Sequence, residues 1–297
     1  MDRSRSFRHA LLRRLIALLG LSIPAIGLAT VRPVGAVAVG DGTANAGGDA
    51  GEQVALGRPE MVSLTPAERS SLAEAWAADG LEQHASVALF GRFALDLLSV
   101  GAPARLVAEA HRAALDEVRH ARMCFALAAA YSGEPIVPGP FDFGRGVAGD
   151  ADPVRLAERT LLEGCVSETL AAAHAAEQLA AATDPAVRKV LGAMAADESR
   201  HAELAWRTIG WSLATFGDRV RAPLQDVLDR LEIQRDPASF ARGAGAAGPS
   251  SDALRAHGLL DRTASRSAME RAFSEIVRPC AEAALAHPMW ELTSAQA

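Results

Sequence analysis

Cysteine, tyrosine and positive net charge are scarce in this chain of 297 residues. Its three cysteines, Cys124, Cys165 and Cys280, are scattered and form no CxxC pair, which excludes the common zinc and dithiol motifs. They read as buried thiols, with one bridged pair as the alternative. A chain of this length buries enough surface to be stable without disulfides. One tyrosine and 5% aromatic residues stand against 49% hydrophobic residues rich in alanine, a balance that disfavours β structure and suits closely packed helices. The formal net charge of -6 offers no basic field, which argues against nucleic acid as a partner. Long apolar runs are also missing, since the run ending near Ala29 is short and broken by Pro24.

What is present begins with five arginines and a histidine before Leu15, then that apolar stretch, then Ala36-Val37-Ala38 as a small-x-small cleavage site. This reads as an export signal over residues 1–38, cleaved after Ala38, and predicts a protein of the periplasm or cell envelope. The general secretory route is favoured, although Arg13-Arg14 also permits twin-arginine export. Membrane contact is expected only through this segment. Residues 39–62, rich in glycine and alanine and poor in large apolar side chains, read as a flexible linker.

Helical signals fill residues 63–217. Thr65, Pro66 and Glu68 form a capping-box start, and Gly80 is expected to stop or bend a short leading helix. A second helix carries the stripe Val87, Phe90, Ala94 and Leu97 and ends at Gly101 and Pro103. The third runs from about Pro103 to Tyr131, before the Pro/Gly-rich crossover "SGEPIVPGPFDFGRGVAGDADP". Asp152 and Pro153 then start a helix to about Ala182, and another runs from Pro185 to about Phe216. The expected fold is therefore all-α: two helical hairpins joined by a long crossover into a four-helix bundle. Residues 218–297 form a C-terminal extension with helical segments near 219–233, 251–260 and 264–286, packed outside the bundle.

Within this text, "LDEVRHARMC" (115–124) returns 81 positions later as "ADESRHAELA" (196–205). Residues three apart share a helix face, so Glu117 with His120 and Glu198 with His201 each present a carboxylate beside an imidazole. Both pairs sit among apolar neighbours such as Ala113, Cys124, Leu127 and Leu204, where an unpaired carboxylate is costly. A metal ion would satisfy both.

Together with "EQHASVALFGRFAL" and "LLEGCVSETLAAA", these motifs make residues 70 to 216 resemble the ferritin-like di-iron carboxylate proteins, and more narrowly bacterial exported ferritin-like proteins of unassigned activity. The resemblance implies a glutamate from the other helix of each hairpin. The 81-residue offset maps Glu82 onto Glu163 and nominates both, with Glu168 competing for the third-helix place. In the resembling proteins a glutamate often stands directly before the His of the first motif. That place is Gln83 here, and Gln83 lies on the Val87, Phe90, Ala94 stripe better than Glu82 does. A neutral amide bridges two cations poorly, so an inward residue 83 would hold one metal weakly or leave the site mononuclear. The candidate ligands are thus Glu82, Glu117, His120, Glu163, Glu168, Glu198 and His201. Asp116 and Asp197 are expected to orient the imidazoles across the helices, Asp116 toward His201 and Asp197 toward His120, or else to pair with Arg119 and Arg200 at the surface. His84, His111 and His174 read as packing residues, and Trp206 and Trp211 as core.

Carboxylate and imidazole donors suit iron or manganese. The resemblance implies a pair of iron ions, with manganese as the alternative, reacting with dioxygen or peroxide and a small molecule whose identity is not specified. Tyr131, about three turns beyond His120, is too remote for a radical-generating subunit. The expectation is an exported oxidase or oxygenase. The alternative is a non-catalytic metal-binding or structural bundle whose di-metal site has degraded at Gln83, and a homodimer is compatible with either.

Overall fold

The computed structural model describes residues 57–140, 151–233 and 251–286. The signal segment, most of the linker, part of the crossover and the end of the C-terminal extension lie outside the described residues. Every regular element among the described residues is helical. None of these helices is long and apolar enough to cross a membrane.

Helix α1 spans Pro66–Ser99. Thr65 caps it, its Oγ1 accepting from Glu68 N at 3.2 Å while Glu68 Oε2 accepts from Thr65 N at 2.9 Å. The short leading helix expected to end at Gly80 is not a separate element, because α1 continues for 34 residues through that glycine. Gly80 serves packing instead. A Cβ there would lie 2.8 Å from Cε1 of Phe125, so the missing side chain lets α1 approach the next helix. That approach outweighs the roughly 1 kcal/mol helix penalty of glycine.

Helix α2, Ala104–Ser132, ends at Gly133 in the left-handed conformation that glycine adopts without strain. It packs along α1 as a hairpin. After the crossover, Asp152 caps α3 (Pro153–Arg159), which runs through a π-helical segment, Thr160–Val166, into α4 (Ser167–Ala181). Asp184 then caps α5 (Pro185–Phe216), its Oδ1 accepting from Val187 N at 2.9 Å. Helices α4 and α5 form the second packed pair, and α2 crosses to α5. The two helices that carry the repeated motif thus touch directly.

Apolar clusters flank the midpoint of this bundle-like core. On one side Trp76, Leu127, Val187 and Leu191 pack together, and on the other Leu97, Ala110, Leu156, Leu204 and Trp211 do. In α1, α2 and α5 alike, the polar residues of the candidate site fall between these two clusters.

The remaining helices are α6 (Asp218–Ile233), α7 (Asp252–Ala256), α8 (Arg262–Ala272) and α9 (Arg278–Ala286), with a second π-helical segment at Phe273–Val277. They do more than decorate the outside. Phe273 and Met269 are buried in one cluster with Leu170 of α4 and Ile209 of α5. Tyr131 Oη lies 2.8 Å from Nδ1 of His257, and the amides of Thr183 and Asp184 donate to Ala256 O at 2.9 and 3.1 Å.

Candidate metal centre

Glu117 and His120 occupy successive turns of the stripe Leu106, Ala110, Ala113, Cys124, Leu127, so the face that buries α2 also buries both polar side chains. Glu198 and His201 sit likewise on α5 among Val187, Val190, Met194, Leu204 and Thr208. All four are 3% exposed or less, which rules out a solvated helix face. Glu168, near the start of α4, and Gln83 of α1 are buried beside them.

The two imidazoles stand 6.2 Å apart between ring centroids. His201 Nδ1 lies 3.1 Å from Glu198 Oε2, 3.3 Å from Glu117 Oε1 and 3.5 Å from Glu168 Oε2. His120 Nδ1 lies 3.3 Å from Glu198 Oε1 and from Gln83 Oε1, and 3.8 Å from Glu117 Oε1. Glu117 and Glu198 therefore reach both rings. Glu168 serves the His201 side and Gln83 the His120 side.

Each Nε2 points the other way, across the helix interface. His120 Nε2 is 2.9 Å from Asp197 Oδ2, and His201 Nε2 is 3.3 Å from Asp116 Oδ2. An ionised carboxylate only accepts, so each Nε2 donates and Nδ1 is the nitrogen turned toward the glutamates. The arginines pair with the same aspartates, although Asp197 is buried and not at the surface. Arg119 Nη2 donates to Asp116 Oδ1 at 2.9 Å and also to Asp197, while Arg200 donates to Asp197 and reaches Asp116 Oδ2 at 3.5 Å.

Electrostatics follow from this layout. Burial alone would lower the pKa of His120, but Asp197 and the glutamates outweigh it and raise it to about 9. His201 is likewise raised against burial by Asp116, Glu117, Glu168 and Glu198. Burial works to raise the Asp197 carboxyl, yet His120 and Arg119 bring it down to about 2. Three glutamates with neutral imidazoles leave three buried negative charges, and protonating both rings still leaves one. A divalent cation fits that deficit. Glu117, Glu168, Glu198 and His201 each offer a ligand atom, all within 4.8 Å of one another. Three carboxylate oxygens and one imidazole could hold a metal ion.

The other nominated glutamates lie elsewhere. Glu82 is exposed, because one residue along α1 turns the side chain about 100° away from Gln83. Glu163 pairs with the buried guanidinium of Arg92 rather than joining the cluster. Burial raises its carboxyl pKa against the pull of Arg92 and Arg159. The 81-residue offset misleads here because the hairpins differ in length. From Gln83 to the end of α1 is 16 residues, and from Glu168 to the end of α4 only 13. The turns, 100–103 and 182–184, differ by one more residue. The offset therefore maps Gln83 onto Gly164, where a Cβ would lie 2.7 Å from the Cβ of Ala205, so no ligand side chain fits. The i→i+5 bonding of the π segment widens the turn, so both Glu163 and Glu168 line one pocket although they are five residues apart.

That pocket lies between α1 and the π segment. Phe90, Phe93, Leu156 and Thr160 line it together with Glu168 and His201, which are buried. Its volume of about 40 Å³ holds roughly three waters. No sequence signal marks Arg92, since a single arginine in a helix ordinarily reads as surface. Of the other imidazoles, His111 is exposed and His174 Nε2 lies 3.0 Å from Ser265 Oγ. No protein family, curated protein or solved structure matches this chain.

Proposed function

We propose that this chain is an exported ferritin-like four-helix metal protein whose buried centre binds iron, or manganese, and oxidises a small molecule using dioxygen or peroxide. The observation that supports this most is the meeting of both Glu-x-x-His pairs with Glu168 in one buried group of donors. Ferrous or manganous ions bound there would supply the electrons that reduce the oxidant. The chain itself contributes binding, orientation and access. Glu117 and Glu198 reach both imidazoles and suit shared ligands, while Glu168 suits a terminal one. Asp116 and Asp197 hold the rings with Nδ1 inward, and the Phe90 ring meets His201 edge-on at 5.0 Å. The small pocket gives a molecule of a few atoms a path to the Glu168 and His201 side.

Gln83 favours a second reading, a metal-binding bundle without catalysis, because it places an amide beside His120 where a carboxylate would complete the ligand set. Anaerobic ferrous loading of the full chain, elemental analysis and then oxygen uptake separate the readings. Bound iron with oxygen consumption is expected. Bound iron without oxygen consumption selects the second reading, and fewer than about half an ion per chain overturns both, since a preformed site should bind.

A further inference from the structure

We infer that the centre is two unequal ion positions, a tight one beside His201 that faces the pocket and a weak one beside His120 that Gln83 closes. The inference rests on the proposal that this cluster binds a divalent metal, and concerns how the chain divides its donors. Around His201 Nδ1 stand three carboxylates, Glu117, Glu168 and Glu198, at 3.3, 3.5 and 3.1 Å. Around His120 Nδ1 stand the same Glu117 and Glu198, at 3.8 and 3.3 Å, and the Gln83 amide oxygen at 3.3 Å. No carboxylate among these belongs to the His120 side alone. An ion bound first beside His201 draws on Glu117 and Glu198 and leaves the second ion with their remaining oxygens, one imidazole and a neutral amide. A neutral oxygen is the weaker ligand for a hard dication.

The four groups that converge within 4.8 Å are Glu117, Glu168, Glu198 and His201, so the two shared glutamates gather with the His201-side donors and His120 is not among them. Access follows the same division. Of the inward donors, Glu168 and His201 line the pocket, whereas Gln83 and His120 do not. A small molecule entering there meets the tightly held ion, and the exchangeable ion lies behind it.

Titration of the full chain with Mn²⁺, read by calorimetry and by the electron paramagnetic resonance of the bound ion, tests this. Losing even an outer partner of a ligand lowers metal affinity by about 10–100-fold, so the second ion should bind roughly 100-fold more weakly than the first. The first equivalent should give the six-line signal of an isolated ion. Gln83→Glu should tighten the second step by about the same factor and replace that signal by a broadened, coupled one. Glu168→Gln, which removes a charge and keeps the shape, should weaken the first step by roughly 100-fold and bring the two steps together. Two equally tight steps in the native chain, or a first step indifferent to Glu168→Gln, would overturn the inference while leaving the proposed function intact. No Mn²⁺ binding at all would overturn both.

Discussion

His120 and His201 each use both ring nitrogens, one toward the glutamates and one toward an aspartate on the opposite helix. That crossed arrangement sets ring orientation more firmly than either helix could alone. Asp197→Asn should keep the fold, because an amide fills the same space, yet lower Mn²⁺ affinity by about 10–100-fold. Calorimetric titration of the two proteins checks it. Glu117→Ala should instead abolish tight binding, as it removes an oxygen that reaches both rings. His257 offers a contrasting imidazole far along the chain from these residues. Burial lowers its pKa despite the opposing pull of Asp184, Glu60 and Glu68. The unfolded chain then takes up this proton at a higher pH than the folded one, so stability is lost as pH falls through the ordinary value of 6.5, until the folded value is reached. Urea midpoints at pH 7.5 and 5 should differ by less in His257→Gln than in the native chain.

At the scale of elements, two glycines mark where helices come closest. Gly164 in the π segment would carry a Cβ 2.7 Å from Ala205 of α5, and both of these are backbone-fixed atoms that cannot swing aside. Gly164→Ala should destabilise the chain by about 1–3 kcal/mol and shift the π segment away from α5. Denaturant unfolding measures the first effect, and weakened metal binding through a displaced Glu168 reports the second. Gly80 faces the ring of Phe125, which can give by a small rotation, so Gly80→Ala should cost less. The start of α5 depends on Asp184, whose Oδ1 caps Val187 N while Oδ2 accepts from Glu60 N at 2.8 Å. Asp184→Ala should cost about 1–2 kcal/mol by the same denaturant measurement.

For the whole molecule, the polar centre is tolerable because apolar clusters close it on both sides and the C-terminal helices seal the second hairpin. Phe273, 1% exposed, and Met269 pack against α4 and α5, so the segment that follows the motif helices belongs to the core. Removing residues 251–297 should therefore expose Leu170 and Ile209, lower the unfolding midpoint and increase binding of a hydrophobic dye. An unchanged midpoint would mean that the two hairpins stand alone.

Sequence alone determined the all-α class, the capped starts at Thr65 and Asp152, the start of a helix at Pro185, and the inward pairing of Glu117 with His120 and of Glu198 with His201. These are local properties, set by caps and by a 3.6-residue period within one helix. Even the crossed aspartates were legible, because each stands one residue before its glutamate. Tertiary structure decided which partners complete the set. It chose Glu168 over Glu163, turned Gln83 inward and Glu82 outward, joined two expected helices through Gly80, and gave Glu163 to Arg92. The reason is register between helices, which depends on helix length, turn length and the π segment together. No periodicity within a single helix encodes it.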